Sequence, residues 1–215
     1  MTTISAPHTT ALTTELRYLA LGDSYTIGEA VDEAGRWPMQ LARLLRQEGV
    51  LLGDPRIIAT TGWTTDELDA AITAAEPLGW HDFVSLLIGV NNQYRGRDVE
   101  EYRTQFAALL WRAIGFAGNR PDRVLVLSIP DWGVTPFGAK SGRDVAQIAR
   151  ELDAYNLAAR EACTQRGVAF VDITPVSRAR GAEPEMVADD GLHPSAAMYT
   201  EWARLAFPVA HRLLA

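Results

Sequence analysis

Short apolar runs alternate with longer amphipathic stretches along almost the whole chain, and this alternation restricts the fold more than any other property of the sequence. Residues 17–21, 56–59, 83–88, 123–129 and 169–172 form runs too short for helices and read as strands. The stretches between them carry helix signals. Pro38 suits a first helical position, and Thr64 with Glu67, like Asp98 with Glu101, has the spacing of an N-cap and its N3 partner. Val99, Tyr102, Phe106, Leu109, Leu110 and Ala113 fall on one face at the 3.6-residue period. A fourth helix is expected from near Gly142 to Gly167. A fifth starts near Ser195, where Pro208 should kink it or begin a second helix. Five strands alternating with five helices predict an α/β fold: a three-layer α/β/α sandwich whose five-stranded parallel sheet has the flavodoxin-like order 2-1-3-4-5. At 215 residues and 47% hydrophobic content the chain can bury one good core. Residues 15–215 are expected to form a single domain behind a flexible, Thr-rich tail at 1–14.

Ligands of such sheets bind beyond the carboxyl ends of the strands. The loops to search are therefore GDSYTIG, TTGWTTDE, GVNNQYRG and PDWGVTPFG. The first places Ser24 at a strand end. A serine hydroxyl is a poor nucleophile unless a neighbouring base takes its proton. Among the four histidines, His8 falls in the expected tail, His81 precedes a strand at the amino edge, and His211 lies near the chain end. His193 instead stands in the polar loop DDGLHPS, with Asp190 three residues before it. That spacing lets one turn present a carboxylate and an imidazole together, the carboxylate holding the ring's tautomer. Taken singly, Gly-Asp-Ser is also an ordinary turn and Asp-x-x-His an ordinary helix cap. Acyl transfer further requires donors aimed at a developing oxyanion. Gly62 offers a backbone N–H, and Asn91 or Asn92 a side-chain amide.

Composition removes other classes. A formal net charge of −7 without clustered Lys and Arg disfavours a nucleic-acid surface. The single cysteine, Cys163, excludes an intramolecular disulfide and a cysteine-rich zinc site, and its helical setting suggests a buried apolar role. No apolar stretch approaches the ~20 residues of a membrane-spanning helix, and no secretory signal pattern opens the chain. The expectation is a cytoplasmic protein without stable membrane insertion, acting on a small molecule. The oligomeric state is left open.

Gly22-Asp23-Ser24, Gly62, Gly89-Val90-Asn91-Asn92 and Asp190-Gly191-Leu192-His193 together resemble the SGNH (GDSL) hydrolase superfamily, in its block order and across residues 18–195. The resemblance implies Ser24 as nucleophile, His193 as base, Asp190 as its orienting partner, and an oxyanion hole of the Ser24 and Gly62 backbone N–H groups with the Asn91 side chain. It also implies an ester hydrolase that forms an acyl-serine and needs no metal or organic cofactor. Thioesterase, acyltransferase and non-catalytic sugar- or lipid-binding readings belong to the same fold. Two positions depart from the family pattern. Asn92 stands where an aspartate is common, so a supporting carboxylate is absent, and Tyr25 replaces a common leucine, narrowing the space beside Ser24. Tyr25, Trp63, Tyr94, Trp132 and Phe137 either wall a pocket for an acyl or aryl group or pack over the sheet ends. Arg36 and Arg95 would meet an anionic group or simply solvate the surface.

The rival serine framework, a G-x-S-x-G elbow, is missing its second glycine at Thr26. A phosphate-binding loop is disfavoured because Asp23 would repel phosphate oxygens, and no P-loop or dinucleotide fingerprint is present.

Overall fold

The computed structural model describes residues 14–215, so the expected tail, except for Thr14, and His8 lie outside the described residues. Five parallel strands, β1 (Tyr18–Gly22), β2 (Arg56–Ala59), β3 (Phe83–Leu87), β4 (Val124–Leu127) and β5 (Ala169–Val171), form one sheet in the order β2-β1-β3-β4-β5. The predicted topology is therefore the observed one. Every residue of β1, β3 and β4 is buried, which explains why these strands read as continuous apolar runs rather than alternating ones. The edge strand β2 is exposed at Arg56 and only half-buried at Ile57 and Ile58.

Two helical layers cover the sheet. On one face α2 (Trp37–Gln47) packs against the carboxyl-terminal α9 (Ala196–Leu214). Gln40 binds the two together: its amide donates to the Ala196 carbonyl at 2.9 Å, and its Oε1 accepts from Thr200 at 2.7 Å. On the other face lie α3 (Thr65–Ala75), α5 (Val99–Phe116) and α7 (Val145–Arg166). The expected start signals operate. Thr64 and Glu67 form a reciprocal capping box on α3, and Asp98 accepts the N–H groups of Glu100 and Glu101 at the head of α5. Gly167 ends α7 with a left-handed φ of 68°. Cys163 is fully buried on α7, and burial pushes its thiol up to about 12.

Of the two outcomes expected at Pro208, a second helix is not found: α9 runs through it as one helix, at the loss of the hydrogen bond that Pro208 has no N–H to make. Buried Tyr199, Trp202, Ala203, Ala206 and Ala210 hold the helix in place from both sides of the proline. Four short helices were not anticipated: α1 (Ser24–Ile27), α4 (Val90–Tyr94), α6 (Pro136–Lys140) and α8 (Thr174–Arg180). Three of these, α1, α4 and α6, sit in the post-strand loops that carry the candidate residues. No helix among the described residues is long and apolar enough to cross a membrane.

Candidate active site

Ser24 is the first residue of α1, directly beyond β1. Asp23 caps that helix by accepting the Tyr25 N–H on Oδ1 at 3.0 Å. The approach is tight: a Cβ on Gly22 would lie 2.2 Å from Thr26 Oγ1 and 2.5 Å from the Leu87 carbonyl oxygen. Only glycine lets the ends of β1 and β3 come this close, and that closeness brings the loops after the two strands together. Asp23 is wholly buried, and its Oδ2 has no hydrogen-bond partner among the described residues. Burial, opposed in part by backbone N–H groups, pushes its carboxyl up to about 7.

Asp190 and His193 lie in a loop closed by a bridge between Val187 and Pro194 and by the Ser195 hydroxyl on the Glu185 carbonyl. Asp190 Oδ1 accepts the backbone N–H groups of Leu192 (2.8 Å) and His193 (2.9 Å), while Oδ2 lies 2.5 Å from His193 Nδ1. Burial opposes the charge on Asp190, but the His193 ring and the two N–H groups outweigh it and hold the carboxyl below its usual value. An ionised carboxylate only accepts, so Nδ1 carries a proton, which in the neutral ring leaves Nε2 as the acceptor. Asp189 has no such contact and lines a separate groove.

Gly62 is the third residue of a turn closed by the Trp63 N–H on the Thr60 carbonyl at 3.3 Å. Its φ of +89° is the left-handed third position that a type II turn requires, which a residue with a Cβ adopts only under strain. Asn91 and Asn92, neighbours in sequence, have divided tasks. Asn91 Nδ2 donates one hydrogen to the Trp63 carbonyl at 2.9 Å, which fixes the amide and leaves its second hydrogen available. Asn92 is fully buried, accepts the Thr65 N–H at 3.0 Å and donates to Thr65 Oγ1 at 2.7 Å. Its amide therefore satisfies two groups at the head of α3 without the carboxylate common at this position.

These loops surround a cavity of about 200 Å³ lined by Ser24, Tyr25, Thr61, Gly62, Val90, Asn91, Tyr94, Trp132, Phe137, Leu192 and His193. Of the two roles open to the aromatic residues, Tyr25, Tyr94, Trp132 and Phe137 line this cavity. Trp63 does not. Its side chain packs against the core, and its contribution to the site is the backbone carbonyl that holds Asn91. The wall is braced from behind. Trp132 stands edge-on to Tyr94 with ring centroids 5.4 Å apart, and its indole N–H donates to buried Gln93 at 2.8 Å. Gln93 donates to Glu151 at 2.6 Å, and the Arg143 guanidinium lies over both Trp132 (5.3 Å) and Tyr94 (5.7 Å). Thr61, Val90 and Leu192 also line the cavity; the sequence assigned them no role, although each adjoins a residue singled out there. Arg95 is engaged within the protein, donating to the Gly62 carbonyl and pairing with Glu67.

The profile of the GDSL-like Lipase/Acylhydrolase family matches residues 20–200. The chain belongs to that family. Family membership and fold support activity as an acyl ester hydrolase. A search of curated proteins finds no match. Among solved structures, TesA superposes with a TM-score of 0.70 at 20% identity, covering 92% of this chain and 99% of its own. A lipase/acylhydrolase from Enterococcus faecalis gives 0.66 at 20% identity, covering 93% and 98%. Axe2, an acetylxylan esterase from Geobacillus stearothermophilus, gives 0.68 at 20% identity, covering 91% and 94%. At such identities the likeness establishes a shared fold.

Proposed function

We propose that this GDSL-family hydrolase cleaves esters of short or flat acyl groups through a covalent acyl-Ser24 intermediate. The observation that carries this reading is the Asp190–His193 contact of 2.5 Å, with His193 and Ser24 facing one cavity. His193 Nε2 takes the Ser24 proton as Oγ bonds to the ester carbonyl carbon. The carbonyl oxygen becomes an oxyanion held by the Ser24 N–H, the Gly62 N–H and the free amide hydrogen of Asn91. Collapse breaks the bond to the leaving oxygen, which departs with the proton from His193. Water repeats the cycle, releasing the acid and restoring Ser24. The Ser24 and Gly62 N–H groups make no hydrogen bond within the described residues, which suits donors kept for a ligand.

The acyl preference follows from size and lining. A cavity of about 200 Å³ is smaller than the roughly 300–1,000 Å³ of sites for drug-sized ligands. Its aromatic walls favour a compact apolar acyl group. Ser24→Ala should abolish both hydrolysis of p-nitrophenyl butanoate and labelling by a serine-directed phosphonate. A fully active variant would disprove the acyl-Ser24 route.

A further inference from the structure

The Gly62 turn is the most deformable part of the proposed oxyanion site, because glycine tolerates both signs of φ. In a four-residue turn, rotating the central peptide between types I and II reverses the direction of the third residue's N–H. Here that N–H belongs to Gly62. The direction in which this donor points therefore depends on how firmly the residues on either side of that peptide are held.

Three side chains hold this turn. Thr61 Oγ1 is hydrogen-bonded to Glu29, which follows α1 and so links the turn to the Ser24 segment. Asn91 holds the Trp63 carbonyl. Arg95, one helical turn beyond Asn91 at the end of α4, donates from Nη2 to the Gly62 carbonyl at 2.6 Å, the only hydrogen bond to that oxygen among the described residues. Its Nη1 pairs at 3.2 Å with Glu67 Oε1, and Glu67 Oε2 in turn accepts the Thr64 N–H at 2.8 Å. One planar fork thus bridges the turn and the head of α3. As an exposed ion pair alone, Arg95–Glu67 would contribute little. The charge-assisted bond to a glycine carbonyl is the stronger contact.

We propose that Arg95 is a positioning residue for the oxyanion site: by clamping the Gly62 carbonyl it pins the peptide that follows the donor and so fixes where the Gly62 N–H stands relative to Ser24 and Asn91, while the Thr61 bond to Glu29 restrains the other side of the turn. The role rests on the acyl-Ser24 reading. Arg95 does not line the cavity, so substrate binding is little affected by its loss. The transition state, which uses the donor most, loses stabilisation.

The experiment compares the parent protein with Arg95→Met and Arg95→Lys, measuring kcat and KM on p-nitrophenyl butanoate, inhibition by an alkyl boronic acid that forms a tetrahedral serine adduct, and melting temperature. Arg95→Met should lower kcat about tenfold and weaken boronate inhibition by a similar factor, with KM within about twofold. Arg95→Lys keeps the charge and one donor but not the bridge, so its kcat should fall between the two. An unchanged kcat, or a loss that follows melting temperature or KM while boronate inhibition is unaltered, would overturn the role. If Arg95→Met does not fold, the kcat and boronate affinity of Arg95→Lys decide in the same way. An inactive, unlabelled parent would instead defeat the acyl-Ser24 reading itself.

Discussion

Asn91 and Asn92 share a side chain and a helix, yet they answer to different free energies. Asn91 donates one amide hydrogen to Trp63 and, on the proposed reading, keeps the other for the oxyanion, whereas every contact of Asn92 is internal. Removing a preorganised oxyanion donor costs roughly 10² to 10³ in turnover. Asn91→Ala should therefore reduce kcat by about that factor with a much smaller change in KM. Asn92→Ala strands the buried Thr65 N–H, at about 1–3 kcal/mol for an unsatisfied group, and should lower the melting temperature instead. Steady-state kinetics and thermal melts of the two variants check the division. A large kcat loss confined to Asn92→Ala would shift the donor by one residue.

The aromatic wall belongs to the scale of elements, since α4, α6 and the turn after β4 each contribute a side to it. Tyr94, 49% exposed, forms the rim, so Tyr94→Ala opens the cavity outward with little loss of core packing. The ratio of kcat/KM for octanoyl over butanoyl p-nitrophenyl esters should rise about tenfold, in the range that small changes in apolar pocket contact produce. An unaltered ratio would place the acyl chain elsewhere. The same elements mark how far the sequence could be read. Strand positions and their order were legible because β1, β3 and β4 are buried on both faces, and their ends differ by only a residue or two. Asp190 and His193 were legible because both lie in one loop, where spacing along the chain approximates distance. Short helices such as α4 escaped because five residues span too little of the 3.6-residue period. Trp63 was misplaced for a related reason: a residue next to Gly62 in sequence still turns its side chain to whichever side packs better, here the core. The clamp on Gly62 joins residues 33 apart, which no local pattern reports.

At the scale of the whole molecule, placing Ser24 where the sheet is densest buries its neighbour Asp23. The folded protein holds that proton up to about pH 7, whereas an unfolded aspartate releases it near the ordinary value of 3.8. Between those values the folded state binds more protons, so this contribution to stability is full below about pH 4 and is lost as the pH rises through about 7. Asp23→Asn keeps an oxygen for the Tyr25 N–H and has nothing to ionise. Its melting temperature relative to the parent should rise from about pH 4 to pH 8. A relative fall would mean that the fold favours the carboxylate. The path of the chain through the sheet also sets a timetable. Ser24 is among the first described residues to be synthesised, and it waits for β3 to flank its strand. His193 and α9 follow much later, at a ribosome's pace of some 5–20 residues per second. On the proposed reading, a half-made chain holds a nucleophile with no base, so it has no means of attacking esters around it until the loop carrying His193 is made. On that reading, making the nucleophile so far ahead of its base keeps the nascent chain silent.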